Sequence, residues 1–331
     1  MRLILHIGMG KTGTSSIQKG LEASQDKLAE TGCHYLGMWL DEPGEPFAGF
    51  QGLPKLFASS PEQQKALASS FVARMHAKEK EEGYNTFVFS NEALFEQADR
   101  IIPFVNVLRQ ETDLCILAYL RDPHEWLPSA FAQWGIRHKT KCGPLQPFGE
   151  AGRSLILQYE ALRSWFRYFG DSLFVRRHEK SLDVVSDMAE FCGLSLVGAG
   201  ARHLERSEPA ELLMRAAFNA RFSQQVLPDR FNRVVFPTGQ KIQSLRELAD
   251  LCFQNDEIDE IVEEQRDLFE FIAAEFGPDF NFLEKQNRPA KVPDHSELQQ
   301  RMLDYLVEMT LQQAARIKQL EKRIAALEED Q

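Results

Sequence analysis

Short apolar runs alternate with amphipathic stretches over the first two thirds of the chain. The segment Arg2 to Ile7 is mostly apolar and alternates little, as do TFVFS at 86–90 and LCILAYL at 114–120. Such runs are typical of strands buried on both faces of a sheet. A glycine-rich loop and then SSIQKGLEASQDKLAE, which has the apolar spacing of an amphipathic helix, follow the first run. A strand, a loop and a helix in this order predict an α/β domain with a parallel sheet flanked by helices.

The rest of this region predicts further helices, one more strand and two long loops. Helices are expected at 61–82, 101–109, 123–138, 155–169 and 182–192, and a strand is expected at SLFVRRH, residues 172–178. Proline and glycine are frequent in DEPGEPFAGFQGLP and in KTKCGPLQPFGEAGR, which we interpret as loops at 41–54 and 139–153. Because long loops near a site are often functional, both are candidate lids.

Beyond about Ser207 the pattern predicts helices only, and the last segment has a heptad repeat. Its a positions hold Leu303, Thr310, Ile317 and Ile324, and its d positions hold Leu306, Gln313, Leu320 and Leu327. Isoleucine at a and leucine at d favour parallel two-stranded coiled coils. In such a coil Arg316 and Arg323 at g would face Glu321 and Glu328 at e of a partner, which predicts a homodimer. The alternative is a long helix packed on its own domain, and the polar residues at one a and one d position favour it.

These patterns predict the domain organisation. Residues 1–286 are expected to form one domain, with a core at 1–195 and a helical part at 207–286. A linker containing two prolines at 287–296 then leads to the coiled-coil helix at 297–331.

Composition and charge narrow the classes of function. Hydrophobic residues make up 43% and charged residues 26% of the 331 residues, as in an ordinary globular protein. The net charge of −11 argues against a general binder of nucleic acid or anionic membranes, because such a protein needs a basic surface. A local basic pocket is compatible with this charge.

Two further observations concern the compartment. The five cysteines are widely scattered and form no C-x-x-C pair, so we expect reduced thiols and no zinc site. No apolar run reaches the roughly 18 residues needed to span a bilayer, and the first residues lack the length and cleavage site of a secretory signal. We therefore expect a cytoplasmic protein without a transmembrane segment.

The stretch HIGMGKTGTSS, residues 6–16, predicts a phosphate-binding loop. The nucleoside-triphosphatase loop has the pattern G-x-x-x-x-G-K-[ST]. From Gly8 to Gly13 the spacing agrees, but Thr14 stands where the lysine should be, and the lysine is Lys11, in the middle of the loop. A loop between a strand and a helix N-terminus presents backbone amides and a helix dipole to an anion.

The other residues of this loop suit the same purpose. Glycines let the backbone approach an anion, and hydroxyl groups in the first helical turn can cap the helix and donate hydrogen bonds. These residues are Gly8, Gly10 and Gly13, and Thr14, Ser15 and Ser16. The alternative is an ordinary strand–helix turn with a capping box.

A second motif, AYLRDPHEWLPSAFAQ, begins at the end of the strongest strand. Arg121 lies just past the carboxyl end of that strand, where ligands of open α/β sheets bind. Ser129 follows eight residues later, inside the next helix. An arginine fork and a hydroxyl suit a second phosphate.

Together the two motifs resemble the sulfotransferases that use 3′-phosphoadenosine 5′-phosphosulfate (PAPS). In that family a K-[ST]-G-[ST] loop holds the 5′-phosphosulfate, and a later R-[DN]-P, with a serine eight residues after the arginine, holds the 3′-phosphate. The matching residues here are Lys11, Thr12, Gly13, Thr14, Ser15, Arg121, Asp122, Pro123 and Ser129, and Gly10 precedes the first group. The similarity covers about residues 2–137, fades through 169–194, and is closest to the bacterial and carbohydrate branches.

The resemblance implies a P-loop-like fold whose core at 1–195 binds the nucleotide, and a reaction that moves a sulfuryl group from PAPS to a hydroxyl. Lys11 would assist the leaving group, and no metal bridging phosphates is required. The R-K-G segment that completes the nucleotide site in the cytosolic small-molecule enzymes is missing, and Lys241 is our candidate for its replacement.

The reaction needs a general base and an acceptor pocket. Glu92, which follows the second strand, is our candidate base, because the family places its base between the two phosphate motifs; a carboxylate stabilised in a first helical turn is the alternative. His6 is expected to be a buried histidine or an acceptor contact, and His124 to be structural.

The acceptor, which we expect to be a glycan or glycolipid, would contact Trp134, Arg137 and His138. Aromatic residues at helical spacing, as here, more often belong to the core, and a basic run is often a solvated face. The rival functions are a P-loop-type nucleotide kinase and a non-catalytic scaffold that positions the coiled coil.

Overall fold

The computed structural model describes residues 1–44, 46–179, 181–196, 209–228, 230–233, 245–283 and 294–329, and it is an α/β fold. Its strands are β1 (Arg2–His6), β2 (Cys33–Tyr35), β3 (Thr86–Ser90), β4 (Asp113–Arg121) and β5 (Leu173–His178). All pairings between them are parallel, and the strand order is β2-β3-β1-β4-β5. The prediction of an α/β domain with a parallel sheet flanked by helices is confirmed.

The α-helices follow in chain order. They are α1 (Thr14–Ala23), α2 (Gln25–Glu30), α3 (Gly52–Ala58), α4 (Pro61–Glu82), α5 (Ala98–Glu111), α6 (Pro123–Ala130), α7 (Phe148–Leu155), α8 (Ala161–Phe169), α9 (Val184–Cys192), α10 (Pro209–Asn219), α11 (Arg230–Arg233), α12 (Leu245–Phe253), α13 (Ile258–Glu263), α14 (Arg266–Phe276) and α15 (His295–Glu329). A π-helix, Phe131–Arg137, continues α6, and 3-10 helices occupy Glu92–Gln97, Ile156–Glu160, Gly170–Ser172 and Pro278–Phe280.

The middle of the sheet is buried on both faces, as the continuous apolar runs predict. Leu3, Ile4 and Leu5 of β1 are buried, and β4 is buried from Leu114 to Arg121. A cluster that includes Ile17 and Leu21 of α1 and Val185 and Met188 of α9 packs on one face. Gly20 permits this packing, because a Cβ there would lie 2.7 Å from a methyl group of Val185.

The strand order places the ends of β3, β1 and β4 next to one another at the carboxyl edge of the sheet. From β1 the chain goes to β2 and β3 on one side of the sheet, and later to β4 and β5 on the other. In open α/β sheets, ligands bind outside the carboxyl ends of the strands at such a reversal. His6 at the end of β1 is level with Ser90 of β3 and with Leu117 of β4. β4 therefore continues for four residues beyond β1, and Arg121 at its end pairs with His178.

The described residues group into two compact units. The first unit comprises the described parts of 1–127, 154–205 and 259–285 and contains the whole sheet. The second unit comprises the described parts of 128–153, 206–258 and 286–331. In its described part, the regular secondary structure is helical, and one antiparallel bridge joins Lys139 and Val226.

Three local differences from the sequence pattern have physical causes. The helix expected after the glycine-rich loop is two helices, α1 and α2, because the Ser24 hydroxyl donates to the Gly20 carbonyl at the point where α1 ends. The second expected loop, 139–153, ends in α7, whose first turn buries Phe148. The short strand β2 was not predicted.

The described residues contain no helix long and apolar enough to cross a membrane. The helix α15 is continuous from His295 to Glu329, and it covers most of the segment that carries the heptad repeat. Residues 287–293 of the expected linker lie outside the described residues.

Candidate functional site: the carboxyl edge of the sheet

The loop after β1 adopts a backbone conformation that glycine favours at most of its turning points. Gly8 and Gly13 have φ angles of 38° and 89°. Lys11 has a φ of 69°, and it is the only non-glycine residue with positive φ among the described residues. Because a left-handed conformation costs a residue with a Cβ roughly 1–2 kcal/mol, its presence at a single lysine is typical of a strained functional turn.

The first turn of α1 faces this loop without a side-chain cap. Gly13 is the N-cap residue and no side chain accepts a hydrogen bond from the helix there. The Thr12 hydroxyl donates to the Met9 carbonyl, which fixes the turn. The Thr14 side chain is buried, with 4% of its surface exposed, and its hydroxyl has no hydrogen-bond partner. Uncapped amides and the helix dipole make this N-terminus favourable for an anion.

His6 lies directly beneath the same loop. Its Nδ1 is 2.8 Å from the Ser90 hydroxyl oxygen, whereas its Nε2 is buried without a partner. Complete burial lowers the pKa of His6 to about 4, so the ring is neutral at neutral pH. A Cβ on Gly8 would lie 2.6 Å from the Thr14 hydroxyl oxygen and 3.2 Å from His6 Nε2. These two unsatisfied polar atoms therefore point to one small region under the loop.

Glu92 joins this region through α1. The side-chain oxygen of Asn91 caps the 3-10 helix by accepting a hydrogen bond from the Ala93 amide. The backbone amide of Asn91 donates to the His6 carbonyl. The Gln18 side-chain amide donates both to Glu92 Oε2, at 3.2 Å, and to the Ser90 carbonyl, at 3.1 Å. Because Gln18 is one helical turn after Thr14, the structure brings Glu92 next to the helix that begins at the glycine-rich loop.

Arg121 is the last residue of β4 and is mostly buried. Its Nε and Nη2 donate to Glu125 Oε2, at 3.3 and 3.1 Å. Its carbonyl accepts a hydrogen bond from the Tyr159 hydroxyl. The Trp126 indole donates to the Gly10 carbonyl at 2.8 Å, so α6 is tied to the loop after β1.

His124 has partners on both sides, as a structural residue would. Its Nδ1 is 3.0 Å from Asp122 Oδ1, and its Nε2 is 3.1 Å from Asp259 Oδ1. The ring thus connects the start of α6 to α13.

Ser15 is in the first turn of α1, and four other predicted site residues belong to the second unit. Ser129 is buried in α6, Trp134 and Arg137 lie in the π-helix, and His138 follows it. The Nε of Arg137 is buried without a hydrogen-bond partner. The π-helix is closed in part by the His138 amide, which donates to the Gln133 carbonyl at 2.8 Å. Single π turns of this kind are frequent at functional sites.

Lys139, which directly follows Arg137 and His138 in the sequence, is a structural residue. Its ammonium donates to the carbonyls of Gly143 and Phe222, and the side chain is buried. Burial lowers the pKa of Lys139. Lys241, the candidate replacement for the R-K-G segment, lies outside the described residues.

Sequence reasoning missed several residues that shape the site. Gln18 had a signal, because it is four residues after Thr14 in α1 and side chains at this spacing share one helix face. The contact of Glu125 with Arg121 had no such signal, because Arg121 ends the strand β4 and only Glu125 is in α6. Ser90 and Asn91 had none, because their contacts with β1 and with residues 36–38 depend on the order of the strands.

Comparison of the sequence with protein-family models and with curated proteins finds no match in either set. Among the described residues, no group of three or more histidine, cysteine, aspartate or glutamate side chains is arranged to hold a metal ion.

Proposed function

We propose that the protein is a PAPS-dependent sulfotransferase with a P-loop-like core, which transfers a sulfuryl group to a hydroxyl of a glycan or glycolipid. One observation carries the proposal: two buried polar atoms, the Thr14 hydroxyl and His6 Nε2, lack partners at the N-terminus of α1, beneath a strained loop that contains Lys11. Buried polar groups are nearly always satisfied. An oxyanion bound at the loop would accept hydrogen bonds from the Thr14 hydroxyl, from His6 Nε2 in the tautomer that carries its proton on this nitrogen, and from amides at the helix N-terminus.

The spacing of the second anion site supports a ligand with two separated phosphates. Arg121 lies four residues beyond the level of His6, on the neighbouring strand. At about 3.3 Å per residue the offset is roughly 13 Å along the strand. In 3′-phosphoadenosine 5′-phosphate the two phosphates are attached to different carbons of one ribose, so this ligand needs two separate anion sites.

The residues then have distinct roles. PAPS supplies an activated sulfuryl group joined to phosphate, and its transfer needs in-line positioning and neutralisation of the charge that develops on the leaving phosphate. The Lys11 ammonium would donate to the bridging oxygen, and the amides at the start of α1 would bind the 5′-phosphate, with Thr12 and Ser15 beside them. Glu92 would accept the proton of the acceptor hydroxyl.

The 3′-phosphate would be held at the end of β4. Arg121 offers a planar guanidinium that suits bidentate phosphate binding. Because Arg121 is hydrogen-bonded to Glu125, the phosphate would have to replace that carboxylate. Ser129, which like Glu125 is in α6, is the proposed hydroxyl donor.

A transfer assay tests the proposed function. Purified protein is incubated with radiolabelled PAPS and a mixture of saccharide acceptors, and labelled saccharide is counted. We expect Lys11→Ala to lower the rate about a hundred- to a thousandfold, the usual effect of removing one charge-stabilising donor. The control Lys19→Ala, which removes an exposed lysine from α1, the helix after the loop, should keep the wild-type rate. Equal rates for both variants, or turnover of ATP that requires magnesium, would contradict the proposal.

We also propose that α15 pairs with a second copy of the chain as a parallel coiled coil. The first turns of α15 bury Leu298 and Met302, and α15 contacts α10 within the second unit. Neither residue is at an a or d position. The a and d residues Leu303, Leu306, Ile317, Leu320 and Ile324 remain exposed. The helix therefore buries two apolar side chains within its own unit, whereas its apolar a and d side chains form a second stripe that is exposed.

Charge favours a second copy as the occupant of this second stripe. In a parallel pair, Arg316 at g of one helix would lie opposite Glu321 at e of the other, five residues later. Light scattering on the full chain should show a dimer that Leu320→Asp dissociates. The control Leu311→Asp changes an equally apolar exposed residue at a b position, outside the seam, and should leave the dimer intact. A wild-type monomer, or the same behaviour in both variants, would contradict the coiled coil.

A further inference from the structure

The proposed donor and base leave the end of β2 without a role. In strand order, the carboxyl edge of the sheet consists of the ends of β2, β3, β1, β4 and β5, so β2 lies next to the strand that leads to Glu92. The donor would lie over β1 and β4, and Glu92 follows β3. Because sulfuryl transfer is in line, the attacking hydroxyl must arrive opposite the leaving phosphate. With the donor over β1 and β4, the other side of this edge is formed by the ends of β3 and β2.

The chain that follows β2 runs alongside β3 to the candidate base. The Leu36 amide donates to the Val88 carbonyl at 2.8 Å, and the Ser90 amide donates to the Gly37 carbonyl at 3.2 Å. The side chain of Asn91, the residue before Glu92, donates to the Met38 carbonyl at 2.6 Å. Trp39 therefore directly follows Met38, whose carbonyl is hydrogen-bonded to the residue before Glu92.

An aromatic surface is built on this anchored segment. The rings of Trp39 and Phe50 meet edge to face, with centroids 5.6 Å apart. Phe50 is 70% exposed, more than any other large hydrophobic residue that the structure describes. The loop that carries it is closed by the Gly49 amide, which donates to Asp41 Oδ1 at 2.7 Å. The surface is thus open to solvent and held in place.

Tyr35 is the last residue of β2, and it pairs with Val88 of β3, the strand that leads to Glu92. Burial raises the pKa of its phenol, and the carboxylates of Glu22 and Glu92 raise it further, so the phenol is neutral and within electrostatic reach of Glu92. A neutral phenol can donate a hydrogen bond to an acceptor oxygen.

The charge around this surface is negative. Its carboxylates are those of Glu22, Asp41, Glu42 and Glu92. Two lysines offset part of this charge, since Lys78 pairs with Glu42 and Lys55 donates to the Pro46 carbonyl, and the carboxylates remain in excess. A polyanionic acceptor would be repelled here, whereas an uncharged one would not be.

We infer that Tyr35, Trp39 and Phe50 form the acceptor-binding surface, and that the acceptor is an uncharged saccharide whose apolar ring face packs on the Trp39–Phe50 pair while a hydroxyl reaches Glu92. This inference rests on the proposed function. It assigns the acceptor to the first unit, whereas the sequence pattern favoured Trp134, Arg137 and His138 of the second unit.

Tryptophan fluorescence can separate the two assignments. Of the four tryptophans, Trp126 and Trp165 are fully buried, so a saccharide that binds at the surface will mainly change the emission of Trp39 or Trp134. Protein saturated with 3′-phosphoadenosine 5′-phosphate is titrated with the neutral sugars cellotetraose, maltotetraose and chitotetraose, and with a sulfated chondroitin tetrasaccharide. We expect a neutral sugar to change the emission in wild type and in Trp134→Phe, and the change to be lost in Trp39→Phe.

A second pair of variants measures the aromatic contact itself. Phe50→Ala should raise the Kd of the neutral sugar about five- to tenfold, as the loss of one ring contact predicts. The control Phe174→Ala, which removes a half-exposed ring from β5 at the other end of the sheet, should leave the Kd unchanged.

The inference fails if the signal survives Trp39→Phe and disappears in Trp134→Phe, if only the sulfated sugar binds, or if none of the sugars binds. Failure of the protein to bind 3′-phosphoadenosine 5′-phosphate, measured first by calorimetry, would instead overturn the proposed function.

Discussion

The two proposed phosphate sites lie on neighbouring strands but are built in different ways. The loop after β1 presents uncapped backbone amides and the unsatisfied polar atoms of His6 and Thr14. At the end of β4, by contrast, the Arg121 guanidinium is hydrogen-bonded to Glu125. The first site is organised before an anion arrives, whereas the second must exchange one carboxylate partner for another anion.

This difference predicts where affinity and selectivity arise. Preorganised donors cost no reorganisation when charge develops, so the first site suits the group that reacts. A charge-assisted hydrogen bond contributes about 1.5–3 kcal/mol, but at Arg121 the gain is reduced by the loss of the Glu125 contact. The second site is therefore expected to add selectivity for a 3′-phosphate with moderate affinity.

The largest effect is expected from Gly8→Ala. The new Cβ would meet the Thr14 hydroxyl oxygen at 2.6 Å, in a backbone conformation with a φ of 38°. Left-handed strain and overpacking together should lower the free energy of unfolding by about 2–5 kcal/mol, and binding of 3′-phosphoadenosine 5′-phosphate should be lost. Urea unfolding and calorimetry measure the two effects.

Gly83→Ala is the matched control for this change. Gly83 has a φ of 80° with no atom near its would-be Cβ, so only the strain of about 1–2 kcal/mol is expected, with binding retained. Equal losses of stability, or retained binding in Gly8→Ala, would show that the region under the loop is not tightly organised.

A smaller effect is expected from the titration of His6. Its pKa is about 4 in the folded protein and 6.5 as the unperturbed value. Between these pH values the unfolded chain binds a proton that the folded chain does not, so the free energy of unfolding rises as pH increases from 4 to 6.5, by about 3 kcal/mol at most. His6→Gln should flatten this part of the stability curve, measured by urea unfolding at a series of pH values. His76→Gln, which replaces an exposed histidine, is the control for the substitution itself; an unchanged slope in His6→Gln would refute the neutral, buried ring.

The smallest effect is expected from Glu125→Gln. The change removes the negative charge that competes for the guanidinium of Arg121, so the affinity for 3′-phosphoadenosine 5′-phosphate should rise a few-fold, about 0.5–1 kcal/mol. Adenosine 5′-phosphate, which has no 3′-phosphate, should bind both proteins alike. Weaker binding of the bisphosphate in this variant would mean that Glu125 positions Arg121 for the phosphate instead of competing with it.

The parts of the fold that local interactions determine were predictable. The strand 86–90 and the helix 61–82 have the predicted bounds. The helix is bounded by local signals, namely a capping box formed by Ser60 and Gln63 and a left-handed Gly83 at the end. The strand β2 escaped prediction because three residues at a sheet edge, one of them His34, have no period to detect.

The candidate site was predictable where it follows a strand end and unpredictable where it depends on pairing. Glycine spacing is enough to predict the loop of Lys11, and the position of Arg121 follows from the length of its strand. The hydrogen bond from Gln18 to Glu92 joins residues 74 positions apart. The hydrogen bond from Asn91 to the Met38 carbonyl joins the segments that follow β3 and β2. Both require the strand order, which local patterns do not contain.

The most direct test of the proposed donor site is the calorimetric binding of 3′-phosphoadenosine 5′-phosphate without metal, in wild type and in Arg121→Ala. We expect wild type to bind it more tightly than adenosine 5′-phosphate, and the variant to lose this preference, with an affinity reduced about ten- to a hundredfold. Absence of binding, or a preference for ATP with magnesium, would contradict the donor site and with it the assignment as a sulfotransferase.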